Sequence, residues 1–431
     1  MQTGTTWRRK ARRGETSLSR LCELCAGARR QFAWAVRLAC VFGSSSLLLA
    51  GGQLGPPDPV VQARPLSSWL EDLSTDRGRD QAKHDLALEA VREIGTNGLS
   101  LLLQRLQFKD PNDLSLTTAR RAQARLAFEA LGSQATPAIP RLMSLLRDET
   151  FVRGADTALV AAAALRAIGS NSIPPLATAL ARGANAERYG AALALSFFPA
   201  SAKTVAPLLI EALKDFDTRV RARAAISLGA MPGEDEKVVP ALAAALADSS
   251  SSVRSAAVAS LRECGTAAKS AIPALVTVVI KDAEDANRLA AVQSLLVIGP
   301  AEAIARFTAL LNQPQTFAPA ARALGRFGGR AEPAIPALLR SFKNLDWESV
   351  AAANFTLRAI GPRALEALIR NLSDRDPQIQ LRTIRAIGLF GAEARAAIPA
   401  LSEAAKHPDI DVQEAALAAL QELGAVPVPP P

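Results

Sequence analysis

Side chains able to perform acid–base, metal or redox chemistry are few in this sequence, and they are scattered. The two histidines, His84 and His407, lie more than 300 residues apart. A metal centre or an acid–base site normally needs several His, Cys, Asp or Glu side chains in a cluster. Cys22 and Cys25 form a single CxxC motif, half of a metal or redox site, but with no second pair or nearby histidine we interpret them as incidental. The sequence therefore predicts no catalytic residue, no metal and no cofactor.

Motifs for nucleotide binding or nucleophilic catalysis do not appear either. The chain contains no P-loop, no dinucleotide-binding glycine pattern and no nucleophile elbow. Three of the four cysteines stand near the amino terminus, which leaves Cys264 alone in the rest of the chain. A disulfide framework is therefore excluded there.

A short signature, an apolar residue followed by glycine, recurs about every 33 residues through most of the chain. The residues one, four, seven and eight places before it are mostly apolar or small, which is the spacing of one helix face. Glycine ends such a helix by adopting a left-handed conformation, and proline ends it because it has no N–H to donate. The positions that end the eleven predicted units are Gly95, Gly132, Gly169, Pro199, Pro232, Gly265, Gly299, Gly328, Gly361, Gly391 and Gly424.

A second signature, AIPAL, begins at Ala271, Ala334 and Ala397, with 63 residues between successive copies. Proline is favoured in the first turn of a helix, so the motif predicts a helix start, and 63 residues is the span of two helix–turn–helix units. One such hairpin buries too little apolar surface to offset the entropy of ordering it, so the units must stack. The sequence predicts an all-α fold, an α-solenoid with a right-handed superhelix of about eleven hairpins over residues 66–424.

Two segments, IPALVTVVIKDAEDANRLAAVQSLLVIG and VPALAAALADSSSSVRSAAVASLRECG, resemble HEAT repeats, particularly the short bacterial variety of phycobilisome-lyase-like proteins. The resemblance implies the solenoid fold but leaves the function open, because the family has many roles. Bilin-lyase activity is implied by the resemblance alone, with no residue that carries it. HEAT-repeat deoxyhypusine hydroxylases use repeated His-Glu pairs, whereas here His84 precedes Asp85 and His407 precedes Pro408. Cys264 corresponds to an isoleucine in later repeats and is predicted to be core.

The resemblance also implies that charged residues at the turn between the two helices of a unit form a ladder joining successive turns. In three units an aspartate is followed six residues later by an arginine, and Asp374 keeps the carboxylate but is followed by Gln380. An aspartate there also suits the N–H groups and dipole of the next helix. We predict a structural role, with a ligand-binding row as the alternative, for Asp215 and Arg221, Asp248 and Arg254, and Asp282 and Arg288.

These observations favour a non-enzymatic scaffold that binds a protein or peptide on the concave surface, which the second helix of each unit lines in HEAT proteins. Tyr189 and Trp347 are candidate partner-binding residues, with half-buried packing as the alternative for each. The other function classes are a bilin-lyase-type enzyme and a nucleic-acid-binding HEAT protein. A nucleic-acid groove needs positive charge and aromatic side chains, but the repeats are almost neutral and the chain has one tyrosine.

The positive charge is concentrated in a predicted leader, residues 1–63. Residues 1–52 hold nine Lys and Arg against two Glu, or +7 of the total of +9, which leaves +2 for the remainder. The apolar stretch Leu38 to Gly52 comes directly after the last of these basic residues, Arg37. We therefore predict an export signal and a periplasmic or cell-envelope protein. Cleavage after Gly52 and cleavage after Ala63 both fit, and an uncleaved membrane anchor is the alternative. Residues 425–431 are predicted to be a proline-rich disordered tail.

Overall fold

A computed structural model of the protein describes residues 58–73, 80–147, 157–343 and 346–425. All of these belong to one compact unit, Pro56–Pro431. Most of the predicted leader, including the CxxC motif and the apolar stretch, and most of the predicted tail therefore lie outside the described residues. The described part begins with a small antiparallel hairpin of β1 (Val60–Val61) and β2 (Arg64–Pro65). The Trp69 indole N–H donates to the Val61 carbonyl at 3.3 Å, which ties the hairpin to the first helix.

Twenty-two α-helices follow in the described residues and form eleven hairpins, each made of an odd-numbered first helix and an even-numbered second helix. The first helices are α1 (Leu66–Glu71), α3 (Leu99–Gln107), α5 (Ile139–Leu145), α7 (Ile173–Arg182), α9 (Ala202–Ala212), α11 (Asp235–Ala245), α13 (Ile272–Lys281), α15 (Pro300–Leu310), α17 (Ile335–Arg340), α19 (Pro362–Asn371) and α21 (Ile398–Ala404). The second helices are α2 (Gln81–Ile94), α4 (Leu114–Leu131), α6 (Thr157–Ile168), α8 (Asn185–Leu195), α10 (Thr218–Leu228), α12 (Ser251–Glu263), α14 (Asp285–Ile298), α16 (Pro314–Phe327), α18 (Trp347–Ile360), α20 (Pro377–Gly388) and α22 (Ile410–Glu422).

The repeated glycines stand at helix ends and the IPxL prolines at helix starts, as the sequence predicts. Most of the predicted glycine terminators have a positive φ, for example Gly95 at 57° and Gly391 at 54°. A turn of 3-10 helix then leads to the IPxL proline, which lies in the first turn of α5, α13 and α21. Gly299 ends α14 at the predicted position, but the left-handed conformation predicted for it is wrong, because its φ is −174° and the backbone is extended there. A Cβ on Gly299 would lie 2.8 Å from Ile272 Cδ1, whereas one on Gly361, which also precedes a proline but has a φ of 85°, would have nothing within 4 Å.

The helices form two layers with one continuous apolar core between them. Each second helix packs on its own first helix and on the second helices of the neighbouring units. The largest completely buried side chains are Phe and Leu residues such as Phe128, Phe307 and Phe317. Small residues fill the contacts between second helices, and Ala161, Ala191 and others there are wholly buried. The predicted all-α solenoid is confirmed.

No single helix among the described residues is both long and apolar enough to cross a bilayer. One pair, Asn185–Leu195 with Pro199–Ala212, reaches the necessary length and composition only when joined across a 92° bend.

Candidate protein-interaction surface

The turns between first and second helices carry three ion pairs that connect successive hairpins. In each pair an arginine near the start of a second helix reaches the aspartate in the turn of the following hairpin. Both oxygens of the carboxylate are engaged, with N···O distances between 2.6 and 3.0 Å. The pairs, which we call rungs, are Arg188–Asp215, Arg221–Asp248 and Arg254–Asp282. All six side chains are largely buried, so water screens the charges little.

The arginine six residues after each aspartate makes a different contact from the one that its spacing suggests. Arg221 Nη1 donates to the Asp215 backbone carbonyl at 2.9 Å, and Arg254 does the same to Asp248 at 3.0 Å. The aspartate carboxylate also accepts the N–H two residues later, as from Asp217 at 2.8 Å. Each guanidinium thus holds its own turn and the next one together. The sequence analysis missed Arg188, which stands six residues after Arg182 rather than after an aspartate.

The rungs stop at Arg288 for a reason visible in the sequence. Arg288 donates to the Asp282 carbonyl at 2.5 Å, as its counterparts do, but the corresponding place in the next turn is Leu311. Its guanidinium contacts Asp285 in its own helix instead. Later turns keep part of the pattern with other residues. Gln380 donates to the Asp374 carbonyl at 2.8 Å, and His407 Nδ1 accepts the Asp409 N–H at 3.1 Å.

Two of the rungs, Arg221–Asp248 and Arg254–Asp282, lower the pKa of their carboxyl groups. Hydrogen bonds from Arg254 lower the pKa of Asp282 from 3.8 to about 2. Hydrogen bonds from Arg221 lower the pKa of Asp248 in the same way, and Asp248 raises the pKa of Arg221. These groups are therefore charged at neutral pH and bound to each other. Such pairs hold the turns in register but have little capacity left for a ligand.

A second set of contacts between hairpins uses buried hydroxyl groups. Each lies five residues before a terminator and donates to a carbonyl of the preceding second helix. The bonds are Ser227 to Ala192 at 2.8 Å, Ser260 to Ala225 at 2.8 Å, Ser294 to Val258 at 3.3 Å and Thr356 to Ala321 at 2.5 Å. Sequence reasoning missed these residues, although the recurrence of Ser, Thr or Ala at this place in every unit was a usable signal.

Large hydrophobic side chains are exposed on one layer of the solenoid. In the described part of the chain, all of those beyond the β-hairpin lie on a second helix or next to one, and none lies on a first helix. Eight of the twelve stand two, six, ten or fourteen residues before a terminator, a four-residue interval that places them along one helix face. We call these eight the apolar row: Leu159, Ile226, Leu289, Val297, Trp347, Phe355, Leu389 and Ile410.

The two predicted partner-binding residues differ in their surroundings. Trp347, the first residue of α18, is 83% exposed. Tyr189 is half-buried against the core, and Arg223 covers it with a hydrogen bond of 2.6 Å to the hydroxyl and its guanidinium 5.1 Å from the ring centre. Phe216, which was not singled out from the sequence, is 77% exposed in a turn, with the Arg188 guanidinium 4.1 Å from its ring.

A cleft of about 370 Å³ separates α14 from α16 on the exposed side of the second helices. Its apolar lining includes Val292, Pro319 and Ala323, and Leu289 of the apolar row stands beside them. Its charged lining consists of Asp285, Arg288, Arg322 and Arg326, so we call it the arginine groove. A second cleft of about 620 Å³ lies between α20 and α22, where Arg385 faces Asp411, Glu414 and Glu422.

In the described ranges, no group of three or more His, Cys, Asp or Glu side chains is arranged to hold a metal ion. Cys264 is half-buried and packs against the core, where burial raises the pKa of its thiol.

A family model described as HEAT repeats matches residues 188–262, 206–295 and 365–430. The chain therefore contains HEAT repeats, as its sequence predicted, and the phycobilisome-lyase-like subtype remains a prediction. No curated protein matches the chain. Among solved structures, an engineered protein is similar, with 19% identity and a TM-score of 0.35. The match covers 83% of this chain and 98% of the engineered protein.

Two karyopherin structures are also similar in fold. They are yeast importin-beta (Kap95p), with 16% identity and a TM-score of 0.42, and Kap121p, with 16% identity and a TM-score of 0.45. Each match covers 83% of this chain, and 54% and 48% of the respective karyopherin. The chain thus spans about half the length of these proteins.

Proposed function

We propose that the protein is a non-enzymatic scaffold that binds a protein or peptide along the exposed face of its second helices. The observation that carries this proposal is the apolar row. Hydrophobic side chains exposed one at a time are common on protein surfaces. The apolar row instead recurs along one face of the second helices, on or next to α6, α10, α14, α18, α20 and α22, so a partner lying along this layer contacts several of its members. The first helices, which face solvent on the other layer, have no such row in the described residues.

The packing of the two layers supports a concave position for this face. Most successive second helices contact each other more extensively than successive first helices do, and α14 and α16, on either side of the arginine groove, are an exception. In a curved stack of two layers, the more closely packed layer lies on the inner side of the curve. We therefore place the second helices on the concave side, where a partner contacts several hairpins at once.

The test compares the proteins captured from native cells by the full-length chain and by two variants. In the first variant, Ile226→Glu and Phe355→Glu put charges into the apolar row. In the matched control, Thr178→Glu and Ala305→Glu put the same charges on exposed positions of the first helices. We expect a specific partner to be lost from the first variant and kept by the control. A partner kept by both variants would contradict the proposed surface.

The rival functions have different outcomes in the same preparation. Retention of DNA at physiological salt would favour the nucleic-acid class. A chromophore or metal that co-purifies with the chain would favour the enzyme class.

Export remains a separate proposal that rests on the leader. The basic segment followed by an apolar stretch supports it, and the solenoid would then meet its partner in the periplasm or cell envelope.

A further inference from the structure

We propose that the arginine groove and the aromatic side chains beside it bind an acidic amphipathic peptide segment. This inference rests on the proposed function, because it specifies the chemistry of one part of the partner. The groove lies between α14, which carries Leu289 and Val297 of the apolar row, and α16, whose other neighbour α18 carries Trp347 and Phe355.

The groove is apolar at its base and open to solvent. Val292 of α14 and Pro319 and Ala323 of α16 line it, and Leu289 at its side is 43% exposed. Its volume of about 370 Å³ falls within the range of known ligand clefts. A few aliphatic or aromatic side chains of a peptide would fill it.

Phe355 continues this apolar surface across α16. A Cβ on Gly325 would lie 2.7 Å from Phe355 Cε1, so the ring rests directly on the glycine backbone. Gly325 stands between Arg322 and Arg326 in the sequence, and both arginines are exposed. The ring is nevertheless 49% exposed. A hydrophobic contact and two guanidinium groups therefore occur together on one face of α16.

The charge of this region selects an acidic partner. The exposed faces of α16 and α18 carry three arginines, Arg322, Arg326 and Arg358, against Glu348, which pairs with Arg322 at 2.7 Å. Within the described residues, Arg326 and Arg358 make no ion pair or hydrogen bond. Arginine binds carboxylates through two parallel hydrogen bonds, and unpaired guanidinium groups beside an apolar cleft are suited to Asp and Glu side chains.

A peptide fits these features better than a nucleic acid. A single strand of nucleic acid needs a basic track along its backbone as well as aromatic platforms. Here the arginines are interrupted by aliphatic side chains such as Leu289 and Val297 and by the carboxylates of Asp285 and Glu348. An alternation of acidic and apolar groups is the complement of this surface.

Binding is measured by fluorescence anisotropy with the full chain and fluorescein-labelled synthetic peptides. One peptide repeats Glu with Leu and Phe at helical spacing, the second has Lys in place of Glu, and the third has Ser in place of Leu and Phe. We expect the first to bind at least about tenfold more tightly than the other two. Equal binding of the first two peptides, or no binding of any, would overturn the inference, and so would tighter binding of a thymidine oligonucleotide.

Charge reversal locates the site. The double variant with Arg322→Glu and Arg326→Glu should bind the acidic peptide with an affinity at least about tenfold lower, and should bind the lysine peptide instead. Loss of binding alone could come from misfolding, so the decisive result is a gain of lysine-peptide binding that the control with the same charge change does not show. The matched control, Arg306→Glu and Arg340→Glu, changes the net charge equally on first helices α15 and α17 and should keep the original preference. The same reversal in the control would overturn the assignment to this groove.

This result is independent of the partner-capture test. If the apolar-row variant loses its native partner but the acidic peptide does not bind, the scaffold proposal stands and the inference fails. If the acidic peptide binds at the groove but the native partner does not depend on the apolar row, the inference stands and the proposed surface fails.

Discussion

Replacement of Asp282 by Asn isolates the contribution of one rung to stability. Asparagine keeps the shape and can still accept the Glu284 N–H, which lies 2.9 Å from the carboxylate, but it removes the charge that Arg254 binds. The Asp282 side chain is only 1% exposed, so solvent does little to replace the lost interaction. We expect α12, α13 and α14 to be destabilised together.

The expected loss of stability follows from the pKa of Asp282, which is about 2 in the folded protein against an ordinary value of 3.8. A difference of this size corresponds to about 2 kcal/mol. Because the folded pKa is the lower one, this stability is present above 3.8 and is lost as the pH falls through about 2. The wild type and the variant should therefore differ at neutral pH and converge in acid.

Asp374→Asn is the matched control. Asp374 lies in an equivalent turn and accepts the Asp376 N–H at 2.9 Å. It has no rung arginine, because the preceding second helix has Val350 at the position that corresponds to Arg254. Urea unfolding gives the overall stability, and hydrogen exchange reports the helices next to the substitution, since a long repeat array need not unfold in one step. Equal losses from the two substitutions, or a loss from Asp282→Asn that does not shrink in acid, would refute the ion-pair argument.

Three further outcomes are expected. Gly190→Ala should destabilise the protein by about 1 to 3 kcal/mol in urea unfolding, although alanine favours helices, because the new Cβ would lie 2.5 Å from the Leu146 carbonyl oxygen. The control Gly388→Ala should be tolerated, since the atom nearest to its new Cβ is 3.9 Å away. Equal losses of stability from the two substitutions would contradict the packing argument. Ser260→Ala should cost about 1 kcal/mol in the same assay, since it removes the 2.8 Å hydrogen bond to the Ala225 carbonyl, and an unchanged unfolding midpoint would show that this bond contributes nothing. Protein from the cell envelope should begin after the predicted leader when sequenced from its amino terminus, whereas a soluble cytoplasmic protein with an intact leader would count against export.

The repeat architecture could be read from the sequence because its determinants are local. A glycine with positive φ, a proline in the first turn and apolar residues at helical spacing each act within a few residues of the chain. Gly299 shows where such local reading fails. The same apolar-glycine signature takes an extended conformation there and packs close to Ile272, whereas Gly361, which also precedes a helix that begins with proline, keeps a positive φ.

The candidate surface was foreseen only in part. Trp347 stood out as a rare residue at a turn, but the apolar row consists mostly of Leu, Ile, Val and Phe, which in a sequence look the same as core residues. Whether a leucine such as Leu289 is buried or exposed depends on how the helix is rotated against its neighbours, and those neighbours come from other units.

The sequence by itself determined that this chain makes stacked helical hairpins, because each turn and helix end is encoded within a single unit. The tertiary structure alone decided which charges meet. Asp215 lies six residues from Arg221 but binds the side chain of Arg188, 27 residues earlier, because stacking brings the turn of one hairpin beside the second helix of the one before. The arginine groove arises in the same way, since α14 and α16 contribute most of its lining and Val279 of α13 the remainder, and no single helix has a groove alone.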